Sequence, residues 1–244
     1  MIQNQPLPER AISGEIVTPV LDGRRPERAA LEGVTVRLEP LDPHAHGADL
    51  FGATHADQAG ARVWDYLPYG PFASEALMRA WLEGRAASTD PLFFAVRDRA
   101  SNRAGGMVTF MNIAPANGSL EIGHIWFAPF LQNTRQSTEA LFLLMQHTFD
   151  ALGYRRLEWK CNALNQASRS AAARLGFSYE GTFYQHMVVK GKNRDTAWFS
   201  LLDYEWPAVR ANFEAWLNPA NFDAEGIART SLAALNRGPR GERQ

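Results

Sequence analysis

Residues 131–150 read LQNTRQSTEALFLLMQHTFD, a polar loop without glycine that passes into a strongly apolar stretch. Apolar residues recur three and four positions apart between Leu141 and Leu152, which predicts a helix that buries one face. Strand-like segments precede it at 119–127 and follow it at 155–161. A buried helix between two neighbouring strands predicts a parallel pair, and a ligand enters such a pair between the carboxyl ends of its strands.

The segments around this unit read as further strands and helices joined by polar turns. The predicted strands lie at 34–40, 92–97, 105–113, 119–127 and 155–161 and in a hairpin over 178–206 that turns at KGKNRD. The predicted helices lie at 43–59, 74–87, 134–152, 166–175 and 207–217. An antiparallel meander that feeds a strand-helix-strand unit predicts an α+β fold. We expect a central mixed, mostly antiparallel twisted sheet of about seven strands, flanked by helices.

The regular pattern covers the middle of the chain. Residues 1–33 carry prolines and scattered charges without sustained periodicity, so we interpret them as an N-terminal arm. One domain is predicted over 34–217. Residues 218–244 are expected to form a C-terminal tail with a weak amphipathic helix and a frayed, Arg-rich end.

Composition restricts the class of protein. The chain has 244 residues and a formal net charge of -1, which favours neither nucleic acid nor an anionic membrane as a partner. Its single cysteine, Cys161, excludes an intrachain disulfide. No Cys/His cluster has the spacing of a metal site, so no metal is expected. The absence of a secretory leader pattern and of a long apolar run favours the cytoplasm.

The polar start of the helix at about 134–138 predicts an anion site. A helix N-terminus offers up to about four unpaired N–H groups and a partial positive charge, which suit phosphate. Several side chains there could add hydrogen-bond donors, and Arg135 adds a formal charge. An ordinary polar cap explains the same local residues, so both interpretations stay open at this point.

A second stretch, ALNQASRSAAARLGFSYEG at 163–181, favours the anion site over the ordinary polar cap. With the strand EIGHIWFAP and the turn LQNTRQSTEA, it resembles the GNAT superfamily of acetyl-CoA-dependent N-acyltransferases. Within that superfamily it looks most like the RimJ/RimL-type branch. The resemblance spans roughly residues 34–205. It implies acetyl-CoA as the acyl donor, a primary amine of a small molecule or a protein N-terminus as the acceptor, and a homodimer.

The family's pyrophosphate loop has the pattern Gln/Arg-x-x-Gly-x-Gly/Ala. Gln132 matches its first position, while Arg135 stands where the first glycine is expected and Ser137 where the second small residue is expected. Backbone N–H groups survive such a change, so Arg135 must point away from the anion or fold over it. The resemblance implies that the cofactor contacts Gln132, Asn133, Thr134, Arg135, Gln136, Ser137 and Thr138.

The resemblance also places the rest of the cofactor. The pantetheine arm is expected between strands 119–127 and 155–161, against the backbone of Trp126 and Phe127, with Asn165 binding its amide. Many family members place a tyrosine seven residues after that asparagine to protonate the leaving thiolate. Ala172 occupies this position here, so Ser168 is the nearest hydroxyl for that role, although it could simply cap a helix.

Amine acylation needs a base and a polarised carbonyl. Glu121 lies eleven residues before Gln132, where the superfamily often has a carboxylate, and we predict it as the base. The alternative is an edge charge or an ion-pair partner. His124 should face the other side of a regular strand unless a β-bulge intervenes, and histidines in such places are more often structural than catalytic.

The stretch VWDYLPYGPF at 63–72 alternates aromatic rings with turn residues. Family members place this segment over the substrate, which makes Trp64, Tyr66 and Tyr69 candidates for acceptor contacts together with His124. A packed Ω-loop is the alternative. Cys161 is interpreted as a buried apolar residue rather than a nucleophile. KGKNRD is most simply a solvated hairpin tip, with acceptor or subunit contacts as the alternative.

The sequence therefore predicts an N-acyltransferase that moves an acetyl group directly from acetyl-CoA to an amine in a ternary complex. No covalent intermediate is required, since no nucleophile-plus-base signature is present. Two other hypotheses stay open. Arg135 and Ala172 would also suit a catalytically degenerate acyl-CoA-binding or sensor protein, and the added charge of Arg135 would suit a succinyl-type donor.

Overall fold

The computed structural model describes residue 17 and residues 23–237, and these residues form a single eight-stranded sheet with helices on both faces. The strand order is β1-β2-β3-β4-β5-β6-β8-β7, and within the described residues only the β5–β6 pair is parallel. The strands are β1 (Leu31–Glu32), β2 (Val36–Pro40), β3 (Leu92–Asp98), β4 (Ala104–Ala114), β5 (Ser119–Phe127), β6 (Arg156–Asn162), β7 (Ser178–Val189) and β8 (Lys192–Leu202). The predicted α+β fold with a mixed, mostly antiparallel sheet is confirmed. The strand beyond the expected seven is β1, which has two residues.

The helices follow the predicted order with two departures. They are α1 (Pro43–His55), α2 (Gln58–Ala61), α3 (Glu75–Ala86), α4 (Arg135–Gln146), α5 (Gln166–Leu175), α6 (Trp206–Leu217) and α7 (Leu232–Leu235). The single helix predicted over 43–59 is wrong, because the chain breaks at Asp57. That residue is extended, and its carboxylate accepts from Gly60 N at 2.7 Å to cap a new helix. The helix predicted over 134–152 is α-helical to Gln146 and continues as a π-helix over His147–Ala151.

Two apolar cores lie on opposite faces of the sheet. Alternate residues of the central strands, such as Leu120 and Ile122, face α4, α5 and α6. The other face packs against α1, α3 and the segment at 62–72, with Trp64 and Trp126 at its centre. The second face carries the polar side chains described below, so the segment at 62–72 lies over the candidate site.

Strands β5 and β6 separate soon after they begin. Residues 119–121 pair with residues 156–158, and these three pairs are the whole ladder between the two described strands. Beyond that point β5 is paired with β4 and β6 with β8. The sheet therefore opens into a cleft between the carboxyl ends of two parallel strands, where the sequence predicted that a ligand enters.

A β-bulge lies at the open end of β5. Thr109 pairs with Gly123 and Met107 with Trp126, so β5 has one extra residue between these pairs. His124 occupies this bulge with φ of +49°. The extra residue changes the alternation of side chains, which places His124 on the same face as Glu121 and not on the opposite one.

The predicted arm and tail are only partly covered. Residues 1–16 and 18–22 of the arm and the Arg-rich end at 238–244 lie outside the described residues. Within the described part, α7 lies in the predicted tail, and Asn236 donates to the carbonyl of Arg174 at 2.9 Å, next to α5. No helix of the described residues is long and apolar enough to cross a membrane.

Candidate active site

Glu121 lies at the point where β5 and β6 separate. Its side chain is buried, and its Oε2 accepts from Asn112 Nδ2 at 2.7 Å and lies 3.0 Å from the ammonium of Lys160. Burial raises the pKa of Glu121, while Lys160 and Asn112 oppose that rise. A buried carboxyl with a raised pKa at the mouth of a cleft has the character of a general base.

Lys160 connects Glu121 to a wider charge network. Its ammonium also lies 2.8 Å from Glu158 and 3.9 Å from the centre of the Trp198 ring. Glu158 in turn pairs with Arg156 at 2.8 Å. Glu121 is therefore an ion-pair partner, as the alternative interpretation expected. The ion pair is compatible with a role as base.

His124 faces the same cleft as a neutral ring. Its Nδ1 lies 3.1 Å from the hydroxyl of Tyr69, and the two rings stack with centres 5.5 Å apart. Burial, followed by the charges of Arg85 and Arg194, lowers the pKa of His124 to about 4. Burial also raises the pKa of the Tyr69 phenol. Both groups are therefore uncharged near neutral pH and can form hydrogen bonds with a bound amine substrate.

The segment at 62–72, called here the aromatic loop, closes one side of the cleft. Trp64 is buried, with its ring centre 5.5 Å from that of Trp126, and Tyr69 lies beside His124. Tyr66 is exposed, and its hydroxyl donates to Leu164 O at 3.3 Å. The structure thus brings Trp64, Tyr69 and His124 together and leaves Tyr66 at the rim.

The N-terminus of α4 presents backbone donors. Thr134 caps the helix by accepting from Ser137 N at 3.2 Å, and Asn133 before it has φ of +60°. Within the described residues, the N–H groups of residues 133–136 donate to no protein acceptor. Consecutive free N–H groups around a residue with positive φ form a concavity of the kind that binds anions.

The hydroxyl groups of this turn serve the helix itself. Ser137 Oγ and Thr138 Oγ1 each donate to Thr134 O at 3.1 Å, and Thr134 Oγ1 donates to Leu131 O at 2.7 Å. Gln136 lies 3.4 Å from Asp98. The side chains of Thr134, Gln136, Ser137 and Thr138 are therefore engaged in the protein, and the backbone N–H groups remain available to an anion.

Arg135 is held by the C-terminal part of the domain. Its guanidinium donates to the carbonyl of Leu217 at the end of α6 and stacks 5.0 Å from the centre of the Phe222 ring. A cation at a helix C-terminus is favourable, because carbonyl groups there carry partial negative charge. The sequence left two orientations open for Arg135, away from the anion or folded over it. The structure shows the side chain directed to protein groups, which is the first of these.

Gln132 and Trp126 join the α4 turn to β5. Gln132 Nε2 donates to the carbonyl of Phe127 at 2.8 Å, at the last residue of β5. Trp126 and Phe127 pair with Met107 and Gly106 of β4. Their other edge faces the cleft, where we predicted that the pantetheine arm pairs with this backbone.

Asn165 and Ser168 begin α5 at the end of β6. Asn165 Oδ1 accepts from Ser168 N at 3.0 Å, so Asn165 is the N-cap. Ser168 Oγ accepts from Trp159 Nε1 at 3.0 Å. Burial raises the pKa of the Cys161 thiol. Cys161 is therefore a buried, protonated thiol, and the cap at α5 belongs to Asn165 rather than to Ser168.

Four residues near these groups were not predicted as part of the site. Lys160 and Asn112 contact Glu121, and Arg194 lies on β8. Glu139 accepts from Val34 N and Thr35 N, both at 2.7 Å. One signal was available for Lys160, since it is one of three lysines in a chain with 25 basic residues. Among the described residues, no group of His, Cys, Asp and Glu could hold a metal ion.

Comparisons with known proteins show which family the chain resembles. A family model, the acetyltransferase (GNAT) domain, matches residues 35–178, which is more than half of the chain. A GCN5-related N-acetyltransferase from Brucella melitensis is 48% identical with a TM-score of 0.85, over 88% of this chain and 96% of that one. A protein described as a probable acetyltransferase of the GNAT family from Chromobacterium violaceum is 42% identical with a TM-score of 0.74, over 83% of this chain and 100% of that one.

The curated relative YdaF of Bacillus subtilis, a candidate ribosomal N-acetyltransferase by its description, is 31% identical over 101 residues. That match covers 41% of this chain and 55% of YdaF. The chain thus spans about half the length of that relative.

Proposed function

This chain belongs to the acetyltransferase (GNAT) domain family, and from that premise we propose that it transfers an acetyl group from acetyl-CoA to a primary amine. The observation that carries the proposal is the position of Glu121, a buried carboxyl at the point where β5 and β6 separate. A donor seated in the cleft would bring its thioester next to this carboxyl. An amine that enters from the side of the aromatic loop would then contact both the thioester and the Glu121 carboxyl.

The free N–H groups of residues 133–136 support pyrophosphate binding at the start of α4. The unpaired edge of β5 near Trp126 and Phe127 supports backbone pairing with the pantetheine arm. Asn165 is assigned to the pantetheine amide through its side-chain nitrogen, since its oxygen already caps α5. Acetyl-CoA, when bound, supplies the acyl group as a thioester.

The chain's own residues would handle the protons. Glu121 takes a proton from the ammonium of the acceptor, so that the amine nitrogen can form a bond to the acyl carbon. As the carbon–sulfur bond breaks, Ser168 is proposed to pass its hydroxyl proton to the thiolate. The second proton lost by the nitrogen, relayed through water, then restores the Ser168 hydroxyl. Backbone N–H groups of β5 would polarise the carbonyl in the same step. No group on the enzyme becomes acylated in this scheme.

The proposal is tested by Glu121→Gln, which keeps the shape of the side chain and removes the base. We expect kcat for thiol release to fall roughly 10²- to 10⁴-fold with a panel of amines. Acetyl-CoA affinity, measured by calorimetry, should stay unchanged. Glu83→Gln, an exposed carboxylate on α3, is the matched control and should change neither quantity. A loss of acetyl-CoA binding in Glu121→Gln would assign Glu121 to structure instead.

A second candidate is a protein that binds acyl-CoA without turnover. The fully buried Ala172 stands where many relatives have a tyrosine hydroxyl, which removes one proton donor from the cleft. The same measurements separate the two functions. Binding of acetyl-CoA without thiol release toward any amine would favour the sensor, and absence of binding would contradict both.

A further inference from the structure

Arg194 is a partly buried arginine that has no hydrogen-bond or ion-pair partner among the described residues. It lies on β8 opposite Met187. Its Nε is buried without a hydrogen-bond acceptor, and no carboxylate within the described residues forms an ion pair with it. Lys160 and Arg156 on the neighbouring strand differ in this respect, since each contacts two carboxylates.

This guanidinium lies on the acceptor side of the cleft. Trp198, four residues further on the same strand, packs on Lys160 and so shares a face with Glu121. Side chains alternate along a strand, which places Arg194 on that face too. The charge of Arg194 acts on Glu121, Cys161 and His124.

A second unpartnered donor lies on the same face. The indole Nε1 of Trp198 is buried and has no acceptor within the described residues. Thr196, between the two residues, is already bonded to His186 Nδ1 at 3.0 Å. Burying a charge or an N–H group without a partner is costly, so such groups point to a ligand that supplies acceptor oxygens.

The carboxylate of Glu121 does not supply the missing acceptor. Glu121 Oε2 is engaged by Lys160 and Asn112, and no hydrogen bond connects Glu121 to Arg194 within the described residues. A guanidinium stays charged at any working pH and matches carboxylate and phosphate in a two-point contact. The group that fits beside it is therefore an anion on the bound substrate.

We infer that Arg194 binds a carboxylate or phosphate group of the acceptor, so that the preferred acceptor is a small amine with an acidic group a few bonds from its nitrogen. This inference rests on the proposed acetyl transfer. The acid would lie at Arg194 and Trp198 while the amine lies at Glu121. Arg194 is thus a residue that determines specificity, and the chemistry stays with Glu121.

The closure of the site favours a small acceptor. Lys190, at the turn of the β7–β8 hairpin, donates to the carbonyl of Trp64 in the aromatic loop at 2.8 Å. Tyr66, also in the aromatic loop, donates to Leu164 O at 3.3 Å. The aromatic loop is therefore tied to both neighbouring segments over the face that carries Arg194. A long peptide would have to break these two contacts.

The test uses the full chain saturated with CoA or acetyl-CoA and pairs of amines that differ in one charge. Amino acids are compared with their carboxamides, and phosphoethanolamine with ethanolamine, so that the two sources of the anion are separated. Binding is measured by calorimetry on the CoA-saturated protein, and transfer by thiol release. Arg194→Gln and Arg194→Lys are compared with Lys192→Gln, an exposed cation two residues earlier on β8.

We expect the acidic member of at least one pair to bind and react roughly 10- to 100-fold better, and Arg194→Gln to abolish that preference. Arg194→Lys should restore part of it, and Lys192→Gln should leave it intact. The KM for acetyl-CoA should not change in any variant. Equal binding of both members, preference for a neutral peptide, or an effect of Arg194→Gln on succinyl-CoA rather than on the amine would overturn the inference. Selective binding of acidic amines without thiol release would instead contradict only the proposed transfer.

Discussion

The ammonium of Lys160 lies 3.0 Å from Oε2 of Glu121, so the proposed base is held beside a cation that lowers its pKa. Lys160→Met should therefore raise the pKa of Glu121 further. Burial raises this pKa, and of the larger interactions that lower it only the hydrogen bond from Asn112 would remain. The acid limb of the kcat/KM profile should move to higher pH, with the largest loss of activity on the acid side.

The control for this change is Lys192→Met, which removes an exposed lysine of β8. It should leave the pH profile in place. An acid limb that stays at the same pH in Lys160→Met would show that Glu121 is not the group that titrates in the profile.

His124 should not titrate near neutral pH. Its pKa is lowered from 6.5 to about 4, first by burial and then by neighbouring positive charge. In NMR spectra of the histidine Cε1–H groups, the signal removed by His124→Gln should stay constant from pH 8 down to about pH 5.

The same shift has a consequence for stability. The unfolded chain takes up a proton at His124 below about pH 6.5, and the folded chain resists that uptake until about pH 4. This contribution to stability is thus present above pH 6.5 and lost as the pH falls toward 4. His124→Gln should make the unfolding free energy less dependent on pH in that window, as measured by urea denaturation.

The strand-helix-strand unit around α4 could be predicted from the sequence because its signals are local. The apolar period predicts the helix, and the polar residues at 134–138 mark its start. The cap of α5 was expected at Ser168 and lies at Asn165 instead. The cleft also follows from this unit, since parallel strands joined by one helix open at their carboxyl ends. These features depend on residues close in the chain.

The charge environment of the site could not be predicted in the same way. Asn112 and Lys160 reach Glu121 only through the register of β4 and β6 against β5. The bulge that turns His124 toward the cleft depends on an extra residue relative to β4. The lack of a partner for Arg194 is a property of the whole packed face, so no local pattern indicates it.

Arg135 should contribute to stability more than to cofactor affinity. Arg135→Ala removes the contacts with Leu217 and Phe222 and should lower the unfolding free energy by about 2 kcal/mol, the value of a charge-assisted hydrogen bond. Arg135→Gly, which restores the residue expected in the family loop, should do the same. Acetyl-CoA affinity should stay within about threefold in both variants, a difference below 1 kcal/mol. A much larger loss of affinity would place the guanidinium on the phosphate.

Glu139 should act as a structural anchor between α4 and the start of β2. Its carboxylate accepts from Val34 N and Thr35 N at 2.7 Å and from the hydroxyl of Thr35. Glu139→Ala leaves these donors without an acceptor and should cost about 3 kcal/mol in urea denaturation. Glu139→Gln keeps one oxygen and should cost less. Equal stability of the two variants would show that water replaces the carboxylate at both positions.

Gly70 should control the position of the aromatic loop. It has φ of +65°, and a Cβ there would lie 2.5 Å from Cε3 of Trp64. Gly70→Ala therefore combines a disfavoured backbone conformation with a clash against a buried ring, and Trp64 cannot move without disturbing Trp126, whose ring centre lies 5.5 Å away.

We expect Gly70→Ala to raise the KM for the amine and to leave acetyl-CoA binding unchanged, because α4 and the inner edge of β5 are not part of this loop. Gly84→Ala is the matched control, since a Cβ at that position of α3 meets no atom within 4 Å. It should leave activity unchanged and raise the unfolding free energy by about 0.5 to 1 kcal/mol. An unchanged KM for the amine in Gly70→Ala would remove the aromatic loop from the acceptor site.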